Sequence, residues 1–254
     1  MRLSRRLERI LQLVADWAPD GEKGSRRDIC VADVGTDHGF VPICLVERGI
    51  AARALALDVR EGPLERAKEH VQRKGLDKKI DLRLGDGLKP LAPMEADMVV
   101  ISGMGGELML RILREGELVR PFVSRWIFSP QSELALFRHG LEELGLSICH
   151  ETMVEEEGKY YTIMVAQPGQ MSYSHEYCYR YGEILIQSGS LVLTGFLERE
   201  IAQLKKIQKR LEKEGSENRS RRLLEVERKL QEAKLVREAV HLARDNRNTR
   251  RIEI

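Results

Sequence analysis

The fold is decided by the stretch VADVGTDHG at residues 31–39 and by the acid that ends the run ALALD at residues 54–58. Each stretch starts with an apolar run that ends in a carboxylate. In residues 31–39 a glycine-containing turn follows that carboxylate. A doubly wound sheet builds a nucleoside site in this way, at the carboxyl ends of its first two strands. Small turn residues let the backbone approach a ligand, and Asp58 can hold both hydroxyls of a ribose.

The turn itself indicates the kind of nucleoside. It lacks the Gly-x-Gly-x-x-Gly pattern of dinucleotide-binding turns, and Asp37 and His38 occupy the place of a pyrophosphate. Because a carboxylate repels phosphate, we expect a nucleoside without phosphates, and S-adenosylmethionine is the main candidate. A helix N-cap is the alternative role for Asp58, and one residue can serve both roles.

Hydrophobic periodicity places these motifs in an alternating series of strands and helices that follows an amphipathic first helix. The predicted parallel strands are 29–34, 52–58, 80–84, 98–101 and 126–129. Two further strand-like runs, 146–154 and 160–166, are separated by five residues that include a glycine, which predicts an antiparallel hairpin. A parallel sheet that ends in a hairpin is typical of methyltransferases. The expected fold class is therefore α/β, a Rossmann-like class I methyltransferase sheet.

The composition changes after Pro168. We expect a cofactor-binding domain over residues 1–168, and a linker with a basic helical hairpin over residues 169–254. Apolar residues recur at heptad-like intervals on both sides of the predicted turn 215–218, which indicates an antiparallel coiled coil. From Glu198 onward, 17 Lys and Arg face 11 Asp and Glu, whereas the rest of the chain is net negative. This asymmetry favours a polyanion-binding appendage, although solvated helices give the same pattern.

Three further strand ends carry polar or glycine-rich motifs. Asp86, between two glycines, is placed to accept a hydrogen bond from an adenine amino group, or it belongs to a tight turn. The sequence SGMGG at residues 102–106 offers close backbone approach and free N–H groups. Gln131 can pair with a base edge or satisfy backbone near a helix start. His38 is a candidate base, cofactor contact or packing residue, and the other histidines are read as incidental.

Together with EEGKYY at residues 156–161, these motifs resemble the bacterial tRNA (adenine(22)-N(1))-methyltransferase family. The resemblance covers about residues 3–167, and the basic hairpin fits the family's C-terminal coiled-coil domain. It implies methyl transfer from S-adenosylmethionine to N1 of an adenine in tRNA, at position 22. Two residues depart from the family pattern: Phe40 stands where tyrosine is common, and Ser132 stands where asparagine is expected.

The motifs and the resemblance give three sets of candidate residues. The catalytic candidates are Asp33, Asp37, Phe40 and Met104. The cofactor-binding candidates are Asp33, Gly35, Asp37, His38, Gly39, Asp58, Asp86, Gly87, Gly103, Met104 and Gly105. The substrate-binding candidates are Phe40, Pro42, Gly106, Gln131, Lys205, Lys206, Arg221 and Arg222.

The implied chemistry depends mainly on positioning. Neutral adenine N1 already has a lone pair, so the catalytic device is alignment of the reactants, which is worth about 7–11 kcal/mol. The target base must leave its pair or stack to enter the site. Phe40 and Met104 would offer apolar surfaces to the base, and either Asp33 or Asp37 would stabilise positive charge on the ring.

The expected partner is tRNA, with no metal, no membrane and a monomeric or weakly dimeric state. The four cysteines show no metal-ligand spacing, no signal peptide or membrane span is expected, and a cytoplasmic location fits. Two alternatives stay open. One is an S-adenosylmethionine enzyme for a small molecule or protein that dimerises through the hairpin; the other is an RNA-binding protein with a degenerate site. The intact acids at 33, 58 and 86 argue against an RNA-binding protein with a degenerate site. The basic hairpin argues against an enzyme for a small molecule or protein.

Overall fold

The structure is a computed structural model that describes residues 3–19, 28–213 and 219–252. The chain divides into two compact units, Met1–Ser172 and Tyr173–Ile254, called here the sheet unit and the helical unit. None of the described helices is long and apolar enough to cross a membrane.

In the described part of the sheet unit there are seven strands, and helices connect the parallel ones except β3 and β4. In chain order its elements are α1 (Arg5–Trp17), β1 (Cys30–Val34), α2 (Phe40–Glu47), β2 (Arg53–Asp58), α3 (Glu61–Arg73), β3 (Ile80–Leu84), β4 (Met98–Ser102), α4 (Gly106–Glu115), a short 3-10 helix (Arg120–Phe122), β5 (Arg125–Ser129), α5 (Leu134–Glu143), β6 (Leu146–Glu156) and β7 (Lys159–Pro168). The strand order is β3-β2-β1-β4-β5-β7-β6. Strands β1 to β5 pair in parallel, and β7 is antiparallel to β5 and β6. The predicted methyltransferase-type sheet is confirmed.

The register of the sheet brings the predicted motifs to one edge. Val34 pairs with Leu57, Asp58 pairs with Leu84, and Ser102 pairs with Ser129. The carboxyl ends of the five parallel strands therefore lie almost level. Strand β1 is buried along its whole length, as expected for a parallel strand covered on both faces.

The hairpin between β6 and β7 is tighter than predicted. Its ladder continues to the pair Glu156–Lys159, so only Glu157 and Gly158 form the turn. Both have positive φ, 51° and 74°, as a two-residue type I′ turn requires. The predicted five-residue loop was wrong because polar residues at an exposed strand end were read as loop.

The segment predicted as a linker is partly helical. It contains α6 (Glu176–Tyr181) and α7 (Glu183–Gln187), and Tyr179 and Tyr181 are buried within the unit. Part of the segment predicted as a linker therefore belongs to a packed core.

Two long helices, α8 (Leu191–Leu211) and α9 (Arg219–Ile252), complete the helical unit. At one end, the Arg244 guanidinium donates to the Thr194 hydroxyl at 2.6 Å. Further along, the Gln208 amide donates to Glu227 at 3.4 Å. These pairings run in opposite chain directions, so the helices are antiparallel, as predicted. The apolar seam is buried at Leu197, Ile201, Leu204, Val226 and Leu230. The predicted turn 215–218 lies outside the described residues.

Candidate active site

A cavity of about 510 Å³ opens at the carboxyl ends of β1 to β4. Its volume lies in the range of small-molecule sites. The predicted site residues that line it are Asp33, Gly35, Asp37, His38, Phe40, Asp58, Asp86, Gly87, Gly103, Met104 and Gln131. The structure thus brings together residues from five strand ends, up to 98 positions apart in the chain.

The loop after β1 passes very close to the loop after β4. Gly35 has φ +76°, and a Cβ built on it would lie 2.1 Å from Met104 Cε. The Gly35 and Thr36 N–H groups donate to the Leu57 carbonyl at 2.8 and 2.9 Å, which fastens the loop to β2. The positive φ favours a glycine here, and any side chain would displace the end of the Met104 side chain.

Asp58 is buried at the end of β2, with 4% of its surface exposed. Its Oδ2 accepts the Asp37 N–H at 3.1 Å, and its Oδ1 accepts the Arg60 N–H at 2.9 Å. Arg60, not Asp58, is the N-cap residue of α3, so the alternative N-cap role was wrong. Because an ionised carboxylate offers about four acceptor positions, Asp58 can hold two loops and still accept hydrogen bonds from a ligand.

Asp33 is the second buried acid of the cavity. Burial raises the pKa of Asp33 to about 7, and the nearby Asp58 carboxylate acts in the same direction. Asp37 is exposed, with φ 50° and its Oδ2 3.6 Å from His38 Nε2. The two acids therefore have different environments: Asp33 changes its charge near neutral pH, whereas Asp37 faces solvent at the cavity mouth.

Asp86 is held by a residue that sequence reasoning missed. The Arg111 Nη1 and Nη2 atoms lie 2.9 and 3.1 Å from the Asp86 oxygens, and this hydrogen bonding lowers the pKa of Asp86. Arg111 also pairs with Glu115. The guanidinium keeps Asp86 ionised and fixes its orientation as an acceptor. The contact spans 25 residues, so no local pattern in the sequence points to it.

His38, Phe40 and His70 form an aromatic cluster at the cavity. The Phe40 ring centroid lies 5.5 Å from each histidine ring, with interplanar angles of 19° and 15°. His70 Nδ1 lies 2.9 Å from the His38 carbonyl oxygen. His70, which was read as incidental, does not line the cavity, but α3 turns it back onto the loop after β1. Pro42 and Gly39 are buried and do not line the cavity, so the ligand contacts expected of them are not seen.

The loops after β4 and β5 are joined by backbone hydrogen bonds. The Gly103 N–H donates to the Ser129 carbonyl at 3.3 Å, and the Gln131 N–H donates to the Met104 carbonyl at 2.9 Å. The two loops therefore form one rigid wall, with Gly103, Met104 and Gln131 facing the cavity.

Glu133 fixes the other side of the same wall. It has φ +56°, and its Oε2 accepts the Glu107 N–H at 3.1 Å near the start of α4. A Cβ on Gly105 would lie 3.0 Å from Ser132 Oγ, and the Gly106 N–H donates to the Ser132 carbonyl. Gly105 and Gly106 thus face the loop after β5, so the ligand contacts expected of these two glycines are not seen either.

Helix α1 adds residues to the cavity that sequence reasoning did not consider. Arg6 and Leu7 line it, and the Arg6 guanidinium carbon lies 5.0 Å from the centroid of the Tyr161 ring. Amphipathic periodicity explained α1 completely as a packing helix, so its polar side carried no signal of a site.

Comparisons with known proteins agree with this geometry. The sequence profile of the family described as tRNA (adenine(22)-N(1))-methyltransferase matches residues 31–235. The chain belongs to this family. It is 33% identical over 171 residues to the tRNA (adenine(22)-N(1))-methyltransferase of Bacillus subtilis strain 168, covering 67% of this chain and 69% of that protein.

Two solved structures show how far the likeness extends. The B. subtilis M1A22 tRNA methyltransferase TrmK superposes with a TM-score of 0.78 at 28% identity, over 92% of this chain and 98% of that chain. A Streptococcus pneumoniae protein in complex with S-adenosyl-L-methionine superposes with a TM-score of 0.78 at 32% identity, over 92% and 99%. Both comparisons extend beyond the sheet unit, so the resemblance of the helical hairpin to this family is structural as well.

The remaining predicted residues lie in the helical unit. Lys205 and Lys206 on α8, and Arg221 and Arg222 on α9, are all exposed. No group of three or more His, Cys, Asp or Glu side chains among the described residues is arranged to hold a metal ion.

Proposed function

We propose that the cavity binds S-adenosylmethionine along the ends of β1, β2 and β3, and admits adenine 22 of tRNA beside Gly103 and Met104. The chain is an S-adenosylmethionine-dependent tRNA (adenine-N1)-methyltransferase, as its family is described. The observation that carries the assignment of this cavity is the meeting of four acids with the end of β4: Asp33, Asp37, Asp58 and Asp86 line it together with residues 102–104.

The residues present fit this cofactor. Asp58 keeps acceptor positions for the ribose hydroxyls, Asp86 is held ionised for the adenine amino group, and the Gly35 loop leaves room where a Cβ would collide. Acidic side chains suit a ligand that carries a sulfonium and an ammonium group. When bound, S-adenosylmethionine supplies an electrophilic methyl group on its positively charged sulfur.

The chain's own residues then have to orient the acceptor base. Adenine N1 attacks with its lone pair, so the protein does not have to remove a proton first. The Phe40 ring, supported by His38 and His70, gives the base an aromatic face, and such stacking is worth roughly 1–3 kcal/mol per base. Met104 excludes water beside it. Asp37, which is exposed to the cavity, is better placed than the buried Asp33 to face positive charge on the methylated ring.

The helical unit is proposed to bind the body of the tRNA. Its exposed Lys and Arg side chains suit phosphate contacts, which are salt-sensitive and weakly sequence-selective. The domain boundary at 168, the monomeric or weakly dimeric state and the cytoplasmic location belong to the same proposal. We expect residues 1–172 alone to fold and bind the cofactor, because the buried core of the sheet unit lies within them.

The test is methylation of unmodified tRNA with labelled S-adenosylmethionine, followed by nucleoside analysis. We expect label in 1-methyladenosine, and none when position 22 carries guanine. An Asp58→Ala protein serves as the site control and should lose most of the incorporation. Label at another position, or none in tRNA while a small molecule or protein accepts it, would overturn the assignment.

A further inference from the structure

Among the described residues, three arginines line the cavity, and their contacts with other side chains differ. Arg60 Nε lies 3.6 Å from Asp58, and Arg111 pairs with Asp86. Arg6 is half-buried and stacks on Tyr161, and it forms no ion pair with any carboxylate in residues 3–19, 28–213 and 219–252. A half-buried guanidinium whose charge is not balanced is ready to bind an anion.

The position of Arg6 is fixed by the packing of α1. Ser4 Oγ caps the helix by accepting the Leu7 N–H at 3.2 Å, and Glu156 accepts the Arg5 N–H at 2.6 Å. The apolar side of α1 is buried, at Ile10, Leu11, Leu13 and Val14. The Arg6 guanidinium is thus a preorganised part of the cavity wall, with the Tyr161 ring beneath it.

Arg6 lies on the opposite side of the cavity from the nucleoside-binding acids. Its Nη1 lies 4.0 Å from the Cβ position of Gly103, and the Gln131 amide nitrogen lies 3.8 Å from the same point. This side, at the ends of β4 and β5, is where the proposed function places the acceptor base. The acids Asp58 and Asp86 stand at the ends of β2 and β3. Arg6 is therefore a cation beside the incoming nucleotide.

We propose that Arg6, stacked on Tyr161, binds a phosphate of the tRNA next to the adenine that is methylated. Its planar fork of N–H donors matches a phosphate group, and stacking on the ring leaves the edge donors free to point into the cavity. The proposal rests on the proposed function, because it takes the side of Gly103 as the acceptor side. It makes Arg6 a substrate-binding residue that couples α1 to the target nucleotide.

The test compares three variants with the wild-type full chain. Arg6→Gln removes the charge and the fork, Arg6→Lys keeps the charge, and Arg9→Gln removes one charge from the same helix outside the cavity. Arg9 Nη1 instead donates to Gln12 at 2.7 Å. Steady-state kinetics with tRNA, calorimetric titration with S-adenosylmethionine, and tRNA binding across a salt series are measured for each.

For Arg6→Gln we expect the KM for tRNA to rise about 10–100-fold, as for one lost charged hydrogen bond. The slope of log K against log salt should become shallower by about 0.7–0.9, as for one phosphate. Arg6→Lys should keep most of the slope. The Kd for S-adenosylmethionine should stay within about twofold of wild type in all three variants, and Arg9→Gln should match wild type throughout.

Two results would overturn the proposal. A weaker Kd for S-adenosylmethionine with an unchanged KM for tRNA would assign Arg6 to the carboxylate of the cofactor. No change in either constant would make Arg6 a packing residue of α1. The wild-type protein methylates adenine 22 in both cases, so failure of this inference differs from failure of the proposed function, in which the wild type itself leaves tRNA unlabelled.

Discussion

The sheet unit and the helical unit present their charges in opposite ways. In the cavity, Asp58 and Asp86 are held by hydrogen bonds at fixed positions, and Asp33 is buried. On the helical unit, Lys205 and Arg221 stand exposed on long side chains. Substituting a group that is held in a fixed position removes its whole contribution to binding. One of many solvated charges contributes little to binding by itself. Substitutions in the cavity should therefore have large single effects, and those on the hairpin small and additive ones.

The largest effect should follow from Gly35→Val. The new side chain would displace the end of the Met104 side chain and would place a β-branched residue at φ +76°, so the loop after β1 is strained. We expect the Kd for S-adenosylmethionine, measured by calorimetry, to rise by roughly 100-fold or more.

Gly49→Val is the matched control for Gly35→Val. Gly49 has φ +64°, but nothing lies within 4 Å of its Cβ position. It should lose stability through backbone strain and keep the wild-type Kd. If both variants bind the cofactor equally well, the close approach of the Gly35 loop to Met104 is not part of the site.

Asp58→Ala should have the next largest effect. It removes the acceptor for the ribose and also leaves the Asp37 and Arg60 N–H groups without their partner. We expect cofactor affinity to fall about 10–100-fold and the free energy of unfolding to drop by ~1–3 kcal/mol. Asp81→Ala is the control, since Asp81 is exposed on β3 and pairs with Arg83. An unchanged calorimetric Kd in Asp58→Ala would remove Asp58 from the cofactor site.

The buried Asp33 should make the sheet unit sensitive to pH. Its pKa is about 7 in the folded protein, against 3.8 for an ordinary aspartate. The folded chain therefore keeps a proton that the unfolded chain releases. The contribution of Asp33 to stability is full below pH 4 and is lost as the pH rises through 7. In thermal unfolding, the advantage of Asp33→Asn over wild type should grow from pH 5 to pH 8.

Cofactor binding gives a second measurement of the same group. A positively charged ligand favours ionised Asp33, so wild-type affinity for S-adenosylmethionine should rise about tenfold between pH 6 and pH 8. The affinity of Asp33→Asn should vary much less over this range. A wild-type affinity that falls with pH would contradict the assignment of a neutral Asp33 in the free protein.

The contrast between local sequence patterns and contacts made by helix packing explains what the sequence could and could not predict. Strands β1 to β5 were placed within one residue at each end, because buried parallel strands are largely apolar runs and the edge strand β3 alternates apolar and charged residues. The acids at their ends followed from the sheet topology. Two contacts around the cavity did not follow: Arg111 reaches Asp86 from α4, and Arg6 on α1 stacks on Tyr161 of β7. Such contacts depend on how helices pack, which local periodicity does not encode.

Two smaller errors have the same origin. The turn at Glu157–Gly158 was read as a longer loop because exposed polar residues in a ladder look like loop residues. The helices α6 and α7 were read as linker because their length, six and five residues, is too short for a clear period. In both places the tertiary context decides the local structure.

The smallest effect per residue is expected on the hairpin. We predict that changing Lys205, Lys206, Arg221 and Arg222 together to Gln weakens tRNA binding about 3–10-fold, with each single change within about twofold. The slope of log K against log salt should become shallower, because phosphate contacts are lost. The Kd for S-adenosylmethionine should not change, since none of the four residues lines the cavity. Filter binding across a salt series measures the slope.

A matched control removes four exposed charges from α3 and the loop that follows it in the sheet unit: Lys68, Arg73, Lys78 and Lys79. This control should leave the slope closer to wild type. Equal losses in both proteins would mean that tRNA responds only to net charge. If the hairpin variant binds tRNA as tightly as wild type, the hairpin has a role in dimerisation, and recognition of tRNA is left to the sheet unit alone.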